Sequence, residues 1–172
     1  NEVVIPSSVT IIDDNAFLGC NSLTKVVIPT GVTTIGKNAF YSCTYLESVE
    51  ISSTVTSIGT SAFYRCNFLS SIKVAAGNTR YKDIDGNLYS KDGRELIQYA
   101  IGKTATEFKI PTGVTTIKEY AFHYCGYLKT VSLSENGKIT NIERGAFSNC
   151  ESLISVVIPY SVTKLGRNVF SE

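Results

Sequence analysis

The chain has 172 residues, 43% of them apolar and 18% charged, with a formal net charge of +1 from 16 basic and 15 acidic side chains. That is the composition of an ordered chain long enough for one sizeable core, and it excludes a disordered one. The charges are scattered without a block of like sign, which argues against a nucleic-acid or anionic-membrane surface, and no apolar run approaches the roughly 20 residues that cross a bilayer.

Read in order, the chain repeats itself. Copies begin at Ile5, Ile28, Ile51, Val74, Ile110, Leu133 and Ile158. The stretches Ile28–Glu50, Ile51–Lys73 and Ile110–Ser132 are each 23 residues long and nearly superimposable by residue type. Phe recurs at 17, 40, 63, 122, 147 and 170; Cys follows three residues after the first five, and Leu three residues after each Cys. A fixed period of this size marks a solenoid, because one coil cannot bury its own apolar face and needs a neighbour to do so.

Each copy has parts. Leu46-Glu-Ser-Val49-Glu-Ile51 ends in the alternation of a half-buried strand. Pro29-Thr-Gly31 is turn punctuation, and Val32–Ile35 is a second short extended piece closed by Gly36. Asn38–Cys43 is compact and reads as one helical or 3₁₀ turn on the opposite side. The spacing of 59 between Phe63 and Phe122 holds a 36-residue irregular unit, 74–109. Its turns at Asp85-Gly86-Asn87 and Lys91-Asp92-Gly93, flanked by Leu88-Tyr89 and Leu96-Ile97, predict a β-hairpin that leaves the stack and packs over its side. A two-residue expansion falls around Glu135 to Lys138. The chain opens in mid-pattern without Met, and the last copy stops at Phe170 before its Cys; both read as a piece of a longer protein.

The pattern I-P-x-x-V-T-x-I-x-x-x-A-F-x-x-C-x-x-L-x-x-V, as in Ile5-Pro6, Val9-Thr10, Ile12, Ala16-Phe17, Cys20 and Leu23, resembles the BspA-like branch of leucine-rich repeats. It covers nearly the whole chain, with Val169 in place of the last Ala. The expected architecture is a single β-rich solenoid over 1–172: a right-handed, leucine-rich-repeat-like coil stack with a parallel sheet on one face, short helical or 3₁₀ turns on the other, and the inserted hairpin. The resemblance implies a curved solenoid on secreted and surface proteins, in which adhesins for host matrix proteins are known. It carries no functional residues to this chain.

No reaction chemistry is legible. Five Cys in one column could form disulfides between coils or a metal ladder, but their constant phase between Phe and Leu places them in the core as small hydrophobes. They lack the C-x-x-C spacing or His partners of metal sites. Asp83-Ile-Asp85-Gly86-Asn87 faintly resembles a calcium loop, yet Arg94 stands where an EF-hand needs an acid. His123, the only His, has no nucleophile in a catalytic setting beside it. No cofactor is expected.

Two surfaces remain as candidates. The turn side carries Tyr41, Tyr45, Tyr64, Phe68, His123 and Tyr127, which either form a binding stripe or cover the core. The sheet face carries Val4, Val27, Glu50, Lys73, Lys109, Ser132 and Val157 in one column, with Glu50, Lys73 and Lys109 as its charged members. The expected function is a non-catalytic extracellular or cell-surface module that binds a large protein or glycan, an extracellular matrix protein among them. The competing reading is a stalk that presents another domain.

Overall fold

The computed structural model describes residues 2–133 and 137–171, so Glu135 and Asn136 of the expected expansion lie outside the described residues. Three coils come first: β1 (Glu2–Val4) and β2 (Ile11–Ile12), β3 (Lys25–Ile28) and β4 (Thr34–Ile35), then β5 (Ser48–Ile51) and β6 (Ser57–Ile58). The fourth, irregular coil holds β7 (Ser71–Val74), β8 (Tyr81–Ile84), β9 (Asn87–Ser90) and β10 (Glu95–Gln98). Three regular coils follow: β11 (Glu107–Lys109) and β12 (Thr116–Ile117), β13 (Thr130–Ser132) and β14 (Asn141–Ile142), then β15 (Ser155–Val157) and β16 (Lys164–Leu165).

The strands pair in parallel at the 23-residue step, Lys25 beside Ser48 and Ser48 beside Ser71. The sheet face is a four-stranded sheet, β1-β3-β5-β7, and a separate three-stranded sheet, β11-β13-β15. The second extended piece of each coil also builds sheets, β2-β4-β6 and β16-β14-β12-β10-β9-β8. Val, Ile and Leu recur at these positions because each inward side chain meets its own counterpart one coil away, about 4.8 Å along the stack.

The Ala-Phe segments are chains of turns, and no helix occurs among the described residues. This corrects the expected helical or 3₁₀ turn. The residue before each Ala of the Ala-Phe pairs, or before Val169 in its place, has positive φ, at Asn15, Asn38, Ser61, Tyr120, Gly145 and Asn168, and so has the residue before each Cys, at Gly19, Ser42, Arg65, Tyr124 and Asn149. A left-handed residue every fourth position stops a right-handed helix. The hydrogen bonds alternate instead. Ala39, Tyr41 and Cys43 donate three residues back, while Asn38, Phe40 and Ser42 donate to Thr60, Ala62 and Tyr64 of the next coil. Under them the Phe rings stack as a ladder, Phe17 to Phe40 at 5.0 Å and Phe40 to Phe63 at 5.6 Å, then Phe122 to Phe147 at 4.7 Å and Phe147 to Phe170 at 5.5 Å.

Cys43, Cys66 and Cys125 are buried, Cys150 is half-buried and Cys20 is exposed; all are free thiols. Cys43, Cys66 and Cys150 donate to the Phe carbonyl of the preceding regular coil at 3.0 to 3.1 Å. Cys20 belongs to the first coil and is the exception to the buried column. Burial pushes the Cys43 and Cys125 thiols up to about 11 and Cys150 to about 12.

The hairpin is present, but it runs through the stack and not over its side. β8 pairs antiparallel with β9, β9 with β10, and β10 rejoins the repeat in parallel with β12. β9 is the wall between two cores: Leu88 packs into the cluster of the first three coils and Tyr89 into that of the last three, both fully buried. Alternation along a strand buried on both faces does this, which a hairpin lying on the surface could not. Tyr99 then takes the Phe position of the fourth coil and stacks on Phe122 at 5.0 Å. Asn78, itself buried, clamps the entrance to β8. Its amide nitrogen donates to the Ser52 and Val55 carbonyls and its oxygen accepts from the Arg80 and Tyr81 N–H groups.

Candidate functional site

The fourth coil has no Ala-Phe-x-x-Cys turn. Its chain passes directly from β10 through Tyr99 to Gly102, whose N–H donates to Leu69 at 2.8 Å. The turn side is therefore short of most of one coil, and a seam opens between the third and fifth. Two adjoining clefts mark it, of about 490 and 240 Å³. Thr60, Ser61 and Glu119 line both. Leu88, Ile97 and Gln98 line the inner cleft, and Tyr41, Tyr64 and Tyr120 the outer one.

An aromatic cluster bridges the seam. Tyr41 stacks on Tyr64 at 4.9 Å, and Tyr64 stacks on His123 at 4.2 Å with Tyr120 edge-on at 5.1 Å. His123 meets Tyr124 edge-on at 4.5 Å, and the Arg65 guanidinium lies 4.4 Å from the centre of the Tyr124 ring while also donating to its hydroxyl. Such offset and edge contacts favour ring quadrupoles and a cation on the ring face. Burial holds the Tyr64 hydroxyl above its usual range. The hydrogen bond to Tyr124 raises the Arg65 pKa, so Arg65 stays charged.

The sequence leaves His123 either on a binding stripe or among residues that cover the core; it is only 6% exposed and lies under the cluster. Ser148 donates from Oγ to the Gly145 carbonyl at 2.8 Å, so the His123 Nδ1 contact at 2.5 Å is assigned as His donating to Ser. A serine whose proton points at a carbonyl and whose side chain is buried is not an activated nucleophile. Burial first, and the Arg65 charge second, push His123 down to about 4, so the ring is neutral at physiological pH.

Charges line the lips. Lys118 Nζ bonds Glu143 at 3.0 Å and reaches Glu95 at 3.7 Å, and Arg144 reaches Glu119 at 3.9 Å. The second Glu143 oxygen accepts from the Glu119 N–H at 3.1 Å. Burial works against the Lys118 charge, but its glutamate partners outweigh it and raise the pKa.

The structure divides the other candidates. Tyr45 and Phe68 stack at 5.4 Å and are 55% and 51% exposed, whereas Tyr127, 49% exposed, has no ring contact with them. On the sheet face Glu50 lies in register with Lys73 and pairs with Lys25 at 2.8 Å, but Lys109 belongs to the other sheet, beside Ser132. The suspected calcium loop is otherwise engaged: Asp83 accepts from the Val74 N–H at 2.8 Å, and the Asp85 carbonyl accepts from Lys103. Among the described residues no three His, Cys, Asp or Glu side chains group as a metal site.

Tyr120, Tyr124 and Arg65, which build the seam, were not singled out from the sequence. The signal was available. In the two left-handed columns the other coils carry Asn, Ser or Gly, the residues that tolerate positive φ, and only these three are bulky. Ser148 and Glu119 carried no such mark.

No curated protein matches the chain. Among solved structures it resembles a leucine-rich repeat protein from Eubacterium ventriosum, with 26% identity, TM-score 0.70, and 96% of this chain against 55% of that one. A leucine rich cell surface protein from Faecalibacterium prausnitzii is 29% identical with TM-score 0.61, over 92% of this chain and 54% of that one. The pneumococcal vaccine antigen PcpA, 22% identical with TM-score 0.71 over 94% and 51%, shares the fold. The chain thus spans about half the length of these proteins. The family described as BspA type Leucine rich repeat region, in six copies, matches residues 1–92 and 97–172, and the chain belongs to that family.

Proposed function

We propose that the chain is a non-catalytic binding module of a cell-surface or secreted protein, recognising a large partner such as a host matrix protein. The observation that carries this reading is the exposed aromatic surface on the turn side. Tyr45 and Phe68 stack there in the open, and Tyr41 and Tyr64 lead from the same side into the seam. Exposed rings in register are hydrophobic area held in place at little entropic cost, and Tyr is enriched where proteins meet. The likeness to a protein described as a cell surface protein supports the location. Affinity would come from several weak contacts along the coils and be multiplied where copies crowd a surface.

The test is solid-phase binding of the folded chain to fibronectin, fibrinogen, collagen and laminin at physiological salt. Saturable binding to one of them, weakened by Tyr45→Ala and Phe68→Ala, supports the module. Charge reversal at Glu50 and Lys73 is the parallel test of the sheet face. Failure to bind any surface macromolecule, by a chain shown to be folded, would favour a stalk.

A further inference from the structure

The backbone of the third coil is left with an open edge. In the second coil Asn38, Phe40 and Ser42 each donate their N–H to a carbonyl of the next coil, and in the fifth Tyr120, Phe122 and Tyr124 do the same. The equivalent residues of the third coil are Ser61, Phe63 and Arg65. Ser61 and Arg65 have φ of 59°, against 54° and 56° for Asn38 and Ser42, so the same backbone aims the same N–H groups at the seam. Among the described residues none of these three backbone N–H groups has a hydrogen-bond partner. The row is closed at both ends: the Ile58 N–H donates to the Tyr81 hydroxyl at 3.0 Å, and the Leu69 carbonyl accepts from Gly102.

The facing wall is complementary. By the repeat, the carbonyls of Glu119, Ala121 and His123 should each accept from the coil before. Ala121 accepts from Tyr99 at 2.9 Å and from the Gln98 amide at 3.3 Å, but Glu119 and His123 accept from nothing among the described residues. Unpaired backbone donors at a buried position are rare, and Phe63 is only 2% exposed. The seam also contains three bulky residues held at positive φ, a conformation that costs each of them energy and that clusters at binding sites.

We propose that the seam is a peptide-binding slot, in which an extended segment of the partner polypeptide lies along the open edge of the third coil. Its carbonyls accept from Ser61 and Phe63 and an N–H group donates towards Glu119, and the segment stops short of Ala121, whose carbonyl Tyr99 already holds. Ser61 and Phe63 set donors two residues apart on one wall and Glu119 an acceptor on the other, which suits an extended chain, whose carbonyls recur at that interval while its N–H groups face the opposite way. A glycan has hydroxyls but no such spacing. Tyr41, Tyr64 and Tyr120 at the outer cleft hold one side chain of the segment, and the Lys118–Glu143 and Glu119–Arg144 pairs set the charge at the lip. This assignment rests on the binding-module reading and names the kind of ligand it takes.

The experiment pans a displayed random heptapeptide library on the folded chain and re-measures each selected peptide on two variants. Thr60→Trp puts a ring over both clefts from an exposed lip position; Thr33→Trp, at an exposed position of the second coil that lines neither cleft, is the control. The expected result is peptides that lose affinity by about ten-fold or more on Thr60→Trp and not on Thr33→Trp. Amide exchange supplies the second readout. In the free chain Ser61 and Phe63 exchange faster than Asn38 and Phe40, and bound peptide slows them. The slot is overturned if Ser61 and Phe63 are already as protected as Asn38 and Phe40, if selected peptides bind Thr60→Trp equally, or if a glycan array and not the peptide library yields binders that Thr60→Trp abolishes. Matrix-protein binding that survives Thr60→Trp would sink the slot while leaving the binding module intact.

Discussion

The first three coils and the seam use one backbone and fill it differently. Away from the seam each left-handed turn position holds Asn, Ser or Gly, and every second turn N–H of the first two coils reaches a carbonyl one coil on. At the seam the same φ values recur on Tyr120, Tyr124 and Arg65, and the N–H row of the third coil has no partner among the described residues. A bulky residue in the left-handed region costs on the order of 1–2 kcal/mol. Here the rings and guanidinium recover some of it by covering His123 and bridging the seam beside its clefts, Tyr64 to His123 and Arg65 to Tyr124. The repeats show what the coil requires, and the seam shows where that requirement is overruled by side-chain contacts across the gap.

The comparison breaks most visibly in the core. Phe40 has a ring on either side and is fully buried, so Phe40→Ala should cost about 3–5 kcal/mol. Leu88→Ala, in the wall strand, should cost about 2–5 kcal/mol. The two should differ in kind. Because repeat coils contact only their neighbours, weakening the wall should split one urea transition into two, whereas Phe40→Ala should shift a single transition. A single sharp transition for Leu88→Ala would mean that the two stacks are coupled through other contacts.

Protonation tests the seam alone. His123 titrates near pH 4 in the folded chain and near 6.5 unfolded, so between those values the unfolded chain binds more protons. Stability should therefore be flat above pH 6.5 on account of this group, fall as pH drops towards 4, and level off below it. The full loss is about 3 kcal/mol. Denaturant melts from pH 7.5 to 4 on the parent and on His123→Phe should show it, with the slope in that window reduced in the variant. Equal slopes would place the acid sensitivity elsewhere.

Exchange of residues between the two environments sharpens the comparison. Asn38→Tyr puts a bulky side chain at a left-handed position with no seam to cover and should cost about 1–2 kcal/mol. Tyr120→Asn relieves that strain but strips the edge contacts to Tyr64 and His123, and should change stability by less than about 1 kcal/mol either way. Thermal melts compare the two directly. A similar cost for both would show that the left-handed position is indifferent to its side chain.

The solenoid was legible because its cause is periodic: a side chain that stacks on its own counterpart must recur at the coil length. What was missed was aperiodic or lay in how the columns were compared. The sequence shows a hairpin through Gly86 and Gly93, but it does not show that β9 is buried on both faces, since Asn87-Leu88-Tyr89 reads equally well on a surface. Asn38–Cys43 reads as helical because its i to i−3 bonds are local, while the bonds that win go to the next coil. Of the candidate surface, Tyr41 and Tyr64 do meet, and Glu50 and Lys73 do face one another. Lys109 follows the same column in sequence, yet the irregular coil ends one sheet at β7 and starts another at β11. Column-by-column comparison for residues that tolerate positive φ would have found Arg65, Tyr120 and Tyr124.

The smallest expected effects separate the sheet face from the seam by charge. Glu50 and Lys25 pair at 2.8 Å with both side chains nearly half exposed, so Glu50→Ala should cost only about 0.2–1 kcal/mol, and less as salt is raised. The Lys25 hydrogen bond holds the Glu50 carboxyl below its usual value. Its contribution is thus present above the unfolded pKa and lost as pH falls through the folded one. Glu143 lies deeper, accepts from Lys118 at 3.0 Å and also holds the Glu119 N–H at 3.1 Å. Glu143→Ala removes a charged acceptor from two donors and should cost about 1.5–3 kcal/mol, with weaker dependence on salt. Melts of both variants at low and high salt decide it. If Glu143→Ala proves as cheap and as salt-sensitive as Glu50→Ala, the lip of the seam is ordinary wet surface, and the seam's distinct character rests on its aromatic cluster and open backbone edge alone.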